Sequence, residues 1–228
     1  MTDIRSNDPN TFILTVNSGS LKITDSVFEN IHSPLFLISD AKALMNNIIF
    51  TQISCSRSSN SFCLLQATSS ESIKISNSSL ANVNSNVDLI SLSNCSKVLF
   101  YNVTVQNILK STQANSDQIF ILNVLNTQSL NISESDFTRI GFSGVKAKNT
   151  NLTIENSIFS NRLKTGRLLS HSPNNSIYSA KLSQPIQFII LDTSSSDITG
   201  VLFFDNSLNT LVHGGVMTLP VLLNLISP

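Results

Sequence analysis

Three carboxylates and one guanidinium are the residues of this chain best placed to do chemistry. Glu134, Asp136 and Arg139 share the phrase ESDFTR, and Glu155 immediately precedes the next related phrase, NSIFSN. Two carboxyl groups about 5–9.5 Å apart across a groove can act as acid and base, or acid and nucleophile, in glycoside hydrolysis. Clustered carboxylates can also hold calcium. A carboxylate beside a cation can remove a proton from a carbon acid. Lys146, Lys148, Arg162, Lys164 and Arg167 are near in sequence and could supply that cation. The plainer reading is a solvated face of alternating ion pairs, and we prefer it, so no catalytic residue is assigned.

The other reactive side chains give less. His32, His171 and His213 have no partner spacing of the kind a metal needs, so neither a metal nor another cofactor is expected. Seven glycines leave no phosphate-binding loop. Cys55 and Cys63 bracket a short serine-rich loop and could close a disulfide, leaving Cys95 single; three free thiols are the competing reading. Six sequons begin at Asn77, Asn94, Asn102, Asn131, Asn151 and Asn174. With 27 Asn and 56 Ser plus Thr, chance alone gives about 6.6, so the sequons by themselves do not argue for secretion.

The bulk composition narrows the class. The chain has 228 residues and zero formal charge, with 14 basic and 14 acidic side chains, so nucleic acid is not an expected partner. Only 12% of residues are charged, while 41% are apolar, enough to build a core. Asn, Ser and Thr supply the polarity, which suits strands and turns better than helices. The apolar stretch 216–226 is too short and too interrupted to be a transmembrane segment. The N-terminal MTDIRSNDPN lacks the apolar core of a signal peptide, which read literally means cytoplasmic. Strand-like pattern at both ends instead suggests one domain, 1–228, cut from a longer surface protein, with an extracellular or cell-surface setting.

These residues must be positioned by a repeat. A six-residue phrase returns as DSVFEN, NIIFTQ, NSSLAN, NVTVQN, ESDFTR and NSIFSN, with a degraded echo ending in Phe204-Asp205-Asn206. Aligned on the fourth position, the copies place Phe28, Phe50, Leu80, Val105, Phe137 and Phe159 together. Five residues earlier stand Ile23, Met45, Ile75, Phe100, Ile132 and Ile154, and two before those Leu21, Ala43, Ile73, Val98, Leu130 and Leu152. Ile31, Ile53, Val83, Ile108 and Ile140 follow the anchors, and Arg162 breaks that rule in the sixth copy. Such period-two alternation marks strands with one buried face, and it outweighs a helical-repeat reading.

A polar corner separates the inward runs: Asp25, Asn47, Asn77, Asn102, Glu134 and Asn156. Asn tolerates left-handed backbone. Asn47, Asn77, Asn102 and Asn156 should therefore stack as an asparagine ladder with positive or bridge-region φ. The following Ser26, Ser78, Ser135 and Ser157 would form a second column. A further strand is expected in each repeat at 35–39, 62–66, 89–93, 119–124 and 145–148, with an extra coil near 186–191. Variable loops fall at 54–61, 110–117 and 164–175, where insertions cost little.

This pattern resembles the right-handed parallel β-helix of the pectin-lyase-like superfamily, from residue 12 to about 217. The stretches LKITDSVFEN, LNISESDF and LTIENSIFSN are similar to the coils of large protist surface proteins, and FDNSLNTLVHGGVM to repeats of polymorphic outer-membrane-type proteins. The resemblance implies an all-β solenoid of seven to eight coils. Many members of that superfamily are polysaccharide lyases or glycoside hydrolases. The paired-Asp and Gly-His-Gly motifs of the polygalacturonase type are missing from this sequence. The expectation is therefore a non-catalytic structural or adhesion-type surface module, a glycoprotein whose partners are carbohydrate or other surface proteins. A carbohydrate-active enzyme is the alternative.

Overall fold

Alternating apolar residues with Asn at the breaks produce strands and corners rather than helices. The computed structural model describes residues 13–55, 62–110, 119–140 and 143–160, and the strand segments 189–192, 196–199, 202–204, 211–213 and 217–218. The described chain is all-β. In order it runs β1 (Leu14–Val16), β2 (Gly19–Ile31), β3 (Phe36–Ser39), β4 (Ala41–Cys55), β5 (Phe62–Thr68), β6 (Ser72–Ser85) and β7 (Asp88–Ser93). Next come β8 (Lys97–Lys110), β9 (Phe120–Leu125), β10 (Ser129–Ser133), β11 (Asp136–Ile140), β12 (Ser143–Lys148), β13 (Asn151–Glu155) and β14 (Ile158–Ser160). The last are β15 (Ile189–Asp192), β16 (Ser196–Thr199), β17 (Leu202–Phe204), β18 (Leu211–His213) and β19 (Met217–Thr218).

The strands form two parallel sheets. One has eight strands in the order β1-β3-β5-β7-β9-β12-β15-β18; the other has eleven, built from β2, β4, β6 and β8 followed by the split pairs β10/β11, β13/β14 and β16/β17, and then β19. The chain crosses between the sheets after each such step, so neighbours within a sheet are one repeat apart in sequence. Parallel pairing with a crossover at every step is compatible with a solenoid. The expected extra coil near 186–191 appears as β15, paired with β12.

The register reproduces the sequence alignment. Phe28 pairs with Phe50, Phe50 with Leu80, Leu80 with Val105, Val105 with Phe137, and Phe137 with Phe159. The anchors through Phe137 are buried, as are the Ile132 and Leu130 columns where they enter the core. The degraded echo needs a correction. Phe203, not Phe204, pairs with Phe159, and Phe204 pairs with Ser160. A one-residue difference in register exchanges the two faces of a strand, so the pairing and not the apparent motif decides which position continues the anchor column. Arg162 lies outside the described residues, as do the N-terminal ten residues and the loops at 111–117 and 164–175.

All six corner residues have left-handed backbone: Asp25 (φ 51°), Asn47 (56°), Asn77 (49°), Asn102 (52°), Glu134 (51°) and Asn156 (47°). The structure adds two columns that the alignment did not separate. Asn30, Gln52, Asn82, Asn107 and Arg139 share φ of 54–56°. Asp40, Ser69, Asn94, Asn126 and Asn149, where the chain leaves the eight-stranded sheet, have φ of 50–54°. Side-chain amides bind up these columns. Asn102 Nδ2 donates to Asn77 Oδ1 at 2.9 Å, Asn107 Nδ2 to Asn82 Oδ1 at 3.1 Å, and Asn149 Nδ2 to Asn126 Oδ1 at 2.8 Å. The first column is not uniform, because Asn77 Nδ2 donates to Asn46 Oδ1 rather than to Asn47.

The residue after the corner turns inward and completes the hydrogen bonding. Ser135 Oγ donates to its own Ser133 carbonyl at 2.8 Å and accepts from Val103 N–H at 3.1 Å. Ser157 Oγ does the same for the Glu155 carbonyl and Ser135 N–H. These hydroxyls satisfy backbone groups that the bend removes from the ladder and that are too buried for water. Thr127 and Thr150 repeat the device at the third corner. Cys95 occupies the same place in its repeat, with Sγ 3.5 Å from the Ser93 carbonyl. Burial pushes that thiol above its ordinary value, so it stays protonated and can donate.

Candidate functional site

The structure spreads the sequence-derived carboxylates along two corners. Glu134 is exposed at the first corner, and its backbone N–H donates to the Glu155 carbonyl at 3.1 Å. Its carboxylate accepts a hydrogen bond from the Tyr101 phenol, which pushes that phenol above its ordinary range, with the Glu134 charge adding to the effect. Glu155 is exposed at the end of β13, in register with Ser133. Asp136 is half-buried on β11, between Thr104 and Ile158. Arg139 stands at the second corner, where Nη1 donates to Asn107 Oδ1 at 3.1 Å. At about 3.3 Å per residue, β11 holds Arg139 on the order of 15 Å from Glu134. Its guanidinium belongs to the second polar column. Among the described residues no three His, Cys, Asp or Glu side chains converge on a metal-sized point.

A different region gathers irregular features. Passage from the eleven-stranded to the eight-stranded sheet takes very different lengths: Ser85 to Asp88, Ile140 to Ser143, Lys110 to Phe120, and Ser160 to Ile189. The return passages, such as Ser39 to Ala41 and Lys148 to Asn151, are uniformly short. Length variation is thus confined to one edge, which we call the loop-bearing edge. The three corners with fixed αL residues and stacked amides cannot absorb an insertion without breaking register, whereas the junction that follows the second of them can.

At that edge β5 carries a bulge: Phe62 pairs with Asp88 but Leu65 pairs with Ile90, so β5 has one extra residue. Cys63 sits within it and is disulfide-bonded to Cys55 at the end of β4, with the Cα atoms 5.6 Å apart. This bond ties one sheet to the other. Replacing both cysteines with alanine should cost about 2–3 kcal/mol for so short a loop. Denaturant melts of the wild type, with and without reductant, and of the double variant check this; coincident curves would show that the bond adds nothing.

Opposite the bulge lies Asp88, half-buried at the start of β7. Its Oδ1 accepts from Phe120 N–H at 2.8 Å and its Oδ2 from Asn123 Nδ2 at 2.6 Å. Burial raises its pKa above 3.8; the Phe120 and Asn123 hydrogen bonds and the Lys146 charge oppose that rise. Lys146 Nζ lies 5.3 Å from the centroid of the buried Phe120 ring. Sequence reading passed over Asp88, Phe120 and Asn123 and noted Lys146 only as a nearby cation. The one available signal was an Asp just ahead of the apolar run 89–93. A perturbed carboxylate beside a cation, at a bulge, is the arrangement that functional sites share.

Between the sheets the interior is closed and apolar. A cavity of about 30 Å³ is bounded by Phe36, Phe50, Phe100, Phe137 and aliphatic neighbours. With apolar walls it stays dry and offers no polar handle to a ligand. No helix among the described residues is long and apolar enough to cross a membrane. No protein-family model, curated protein or solved structure matches the chain.

Proposed function

We propose that the two parallel sheets are faces of a right-handed parallel β-helix of the pectin-lyase-like kind, and that the chain is a non-catalytic structural or adhesion-type surface module. The observation that carries this reading is the confinement of length variation to one edge of an otherwise regular scaffold. A rigid core that repeats while one set of connections varies is how binding surfaces are built on solenoids. The partner is carbohydrate or another surface protein, met at the loop-bearing edge. The Cys55–Cys63 disulfide supports an extracellular or cell-surface setting, because such bonds persist in oxidising compartments. In that setting the exposed sequon residues Asn77, Asn94, Asn102 and Asn151 offer sites for glycan attachment.

The test is binding and turnover measured side by side. The purified protein should bind a glycan array or intact cell surfaces saturably. It should release no unsaturated or reducing ends from pectic, alginate or glycosaminoglycan polymers, with or without calcium. Cleavage that disappears in Glu134→Gln or Glu155→Gln would overturn the module reading in favour of a carbohydrate-active enzyme. A crystal structure with strands coiling left-handed would overturn the β-helix assignment separately.

A further inference from the structure

The polar cluster at the loop-bearing edge is built to respond to a proton. In its ionised form Asp88 is acceptor-only, and both oxygens are used, one by a fixed backbone N–H and one by a rotatable amide. Addition of a proton to Oδ2 converts that oxygen from acceptor to donor. The proton comes from solvent, as hydronium gives up H⁺ and becomes water. The new O–H then faces the Asn123 Nδ2 group, also a donor, across 2.6 Å. Two donors cannot share that line. Rotation of the Asn123 amide about its terminal torsion presents Oδ1 as acceptor and restores the bond. Protonation at Oδ1 would instead confront the Phe120 N–H, which β9 holds in the sheet, so Oδ2 is the site taken.

We propose that Asp88 and Asn123 form a proton-operated latch: neutralising Asp88 turns the Asn123 amide over and leaves Lys146 without its counter-charge. Asn123 and Lys146 are in register on β9 and β12, and Ser91 and Gln66 continue the row on β7 and β5. The outer row of the eight-stranded sheet therefore changes both its donor pattern and its local charge, by one positive unit, in a single step. Among the described residues few other groups can interfere. Asp88 is the one titratable side chain on β7, β5 contributes only the disulfide-bonded Cys63, and β9 contributes none. On β12, Lys146 is the charge that acts on Asp88, while Lys148 lies further along the strand.

Burial makes the folded state hold the Asp88 proton more tightly than the unfolded state does. This contribution to stability is present below about 3.8 and is lost as pH rises from there through the raised folded value. The latch thus changes state at a pH above the ordinary aspartate value, where taking up the proton stabilises this site rather than unfolding it.

Carboxyl ¹³C and side-chain amide ¹⁵N NMR titrations of the intact protein test the proposal. The Asp88 carboxyl should titrate with a midpoint above 3.8. The Asn123 amide resonances should shift with the same midpoint, while the Phe120 backbone amide keeps its hydrogen bond. In Asp88→Asn the amide pair reproduces the acid form, and the Asn123 shift with pH should vanish. An Asn123 amide that stays still while Asp88 titrates would overturn the latch, as would an Asp88 midpoint at or below 3.8. Because the wild-type titration decides these outcomes, the test does not depend on any variant folding.

Discussion

Replacing Phe137 with alanine should destabilise the protein by about 3–5 kcal/mol. The ring is 1% exposed and sits in register between Val105 and Phe159, the fifth member of the anchor column. Removing it forfeits the transfer energy of a buried aromatic side chain and opens a void. The neighbours cannot close that void. Each anchor from Phe50 to Phe159 is fixed by parallel pairing on both sides, and the corners hold the strands at fixed length. Phe137 also borders the existing cavity of about 30 Å³, so the new space merges with an old one. Phe137→Leu, which keeps most of the volume, should cost markedly less. Urea melts of the three proteins check this, and a loss under about 1 kcal/mol for the alanine variant would show that the column is not a continuous core.

Asn102→Val should cost about 2 kcal/mol, although the side chain is exposed. Asn102 has φ 52°, a conformation that costs L-residues roughly 1–2 kcal/mol and branched residues most. Valine also loses the Nδ2 bond to Asn77 Oδ1, worth on the order of 0.5–1 kcal/mol at an exposed site. Asn102→Gly separates the two effects. Glycine accepts positive φ freely and loses only the amide bond, so it should cost about 1 kcal/mol or less. Equal losses for valine and glycine would place the energy in the ladder rather than the backbone; no loss for either would remove the corner from the list of what holds the repeats in register.

The Phe28-to-Phe159 anchors and the two preceding inward columns were legible in the amino-acid sequence because a strand with one buried face must alternate. The alternation survives inside each phrase whatever happens between phrases. The first corner was legible for a related reason: it lies within the phrase, so the alignment carries Asp25, Asn47, Asn77, Asn102, Glu134 and Asn156 into one column. The third corner was not, although Asp40, Ser69, Asn94, Asn126 and Asn149 obey the same left-handed rule. Connections of variable length separate that corner from the phrase, and each insertion shifts it against the anchor. The role of Cys95 was hidden with it. A lone thiol means little until the fold stacks it with Ser70, Thr127 and Thr150 as the inward donor of a corner.

Tertiary structure alone assembled the loop-bearing edge. Asp88 meets Phe120 and Asn123 from 32 and 35 residues away, across a junction whose length no local pattern specifies. The bulge that sets Cys63 beside the Phe62–Asp88 pair exists only as a mismatch between two paired strands. Conversely, Glu134 and Arg139, neighbours in sequence, were drawn apart because an extended strand spends its length separating what a short phrase brings together. Local periodicity determines which side chains face inward, since that depends on chirality and the two-residue repeat of a strand. Which polar groups become neighbours depends on how many residues each connection inserts, and only the paired register of the folded chain decides that.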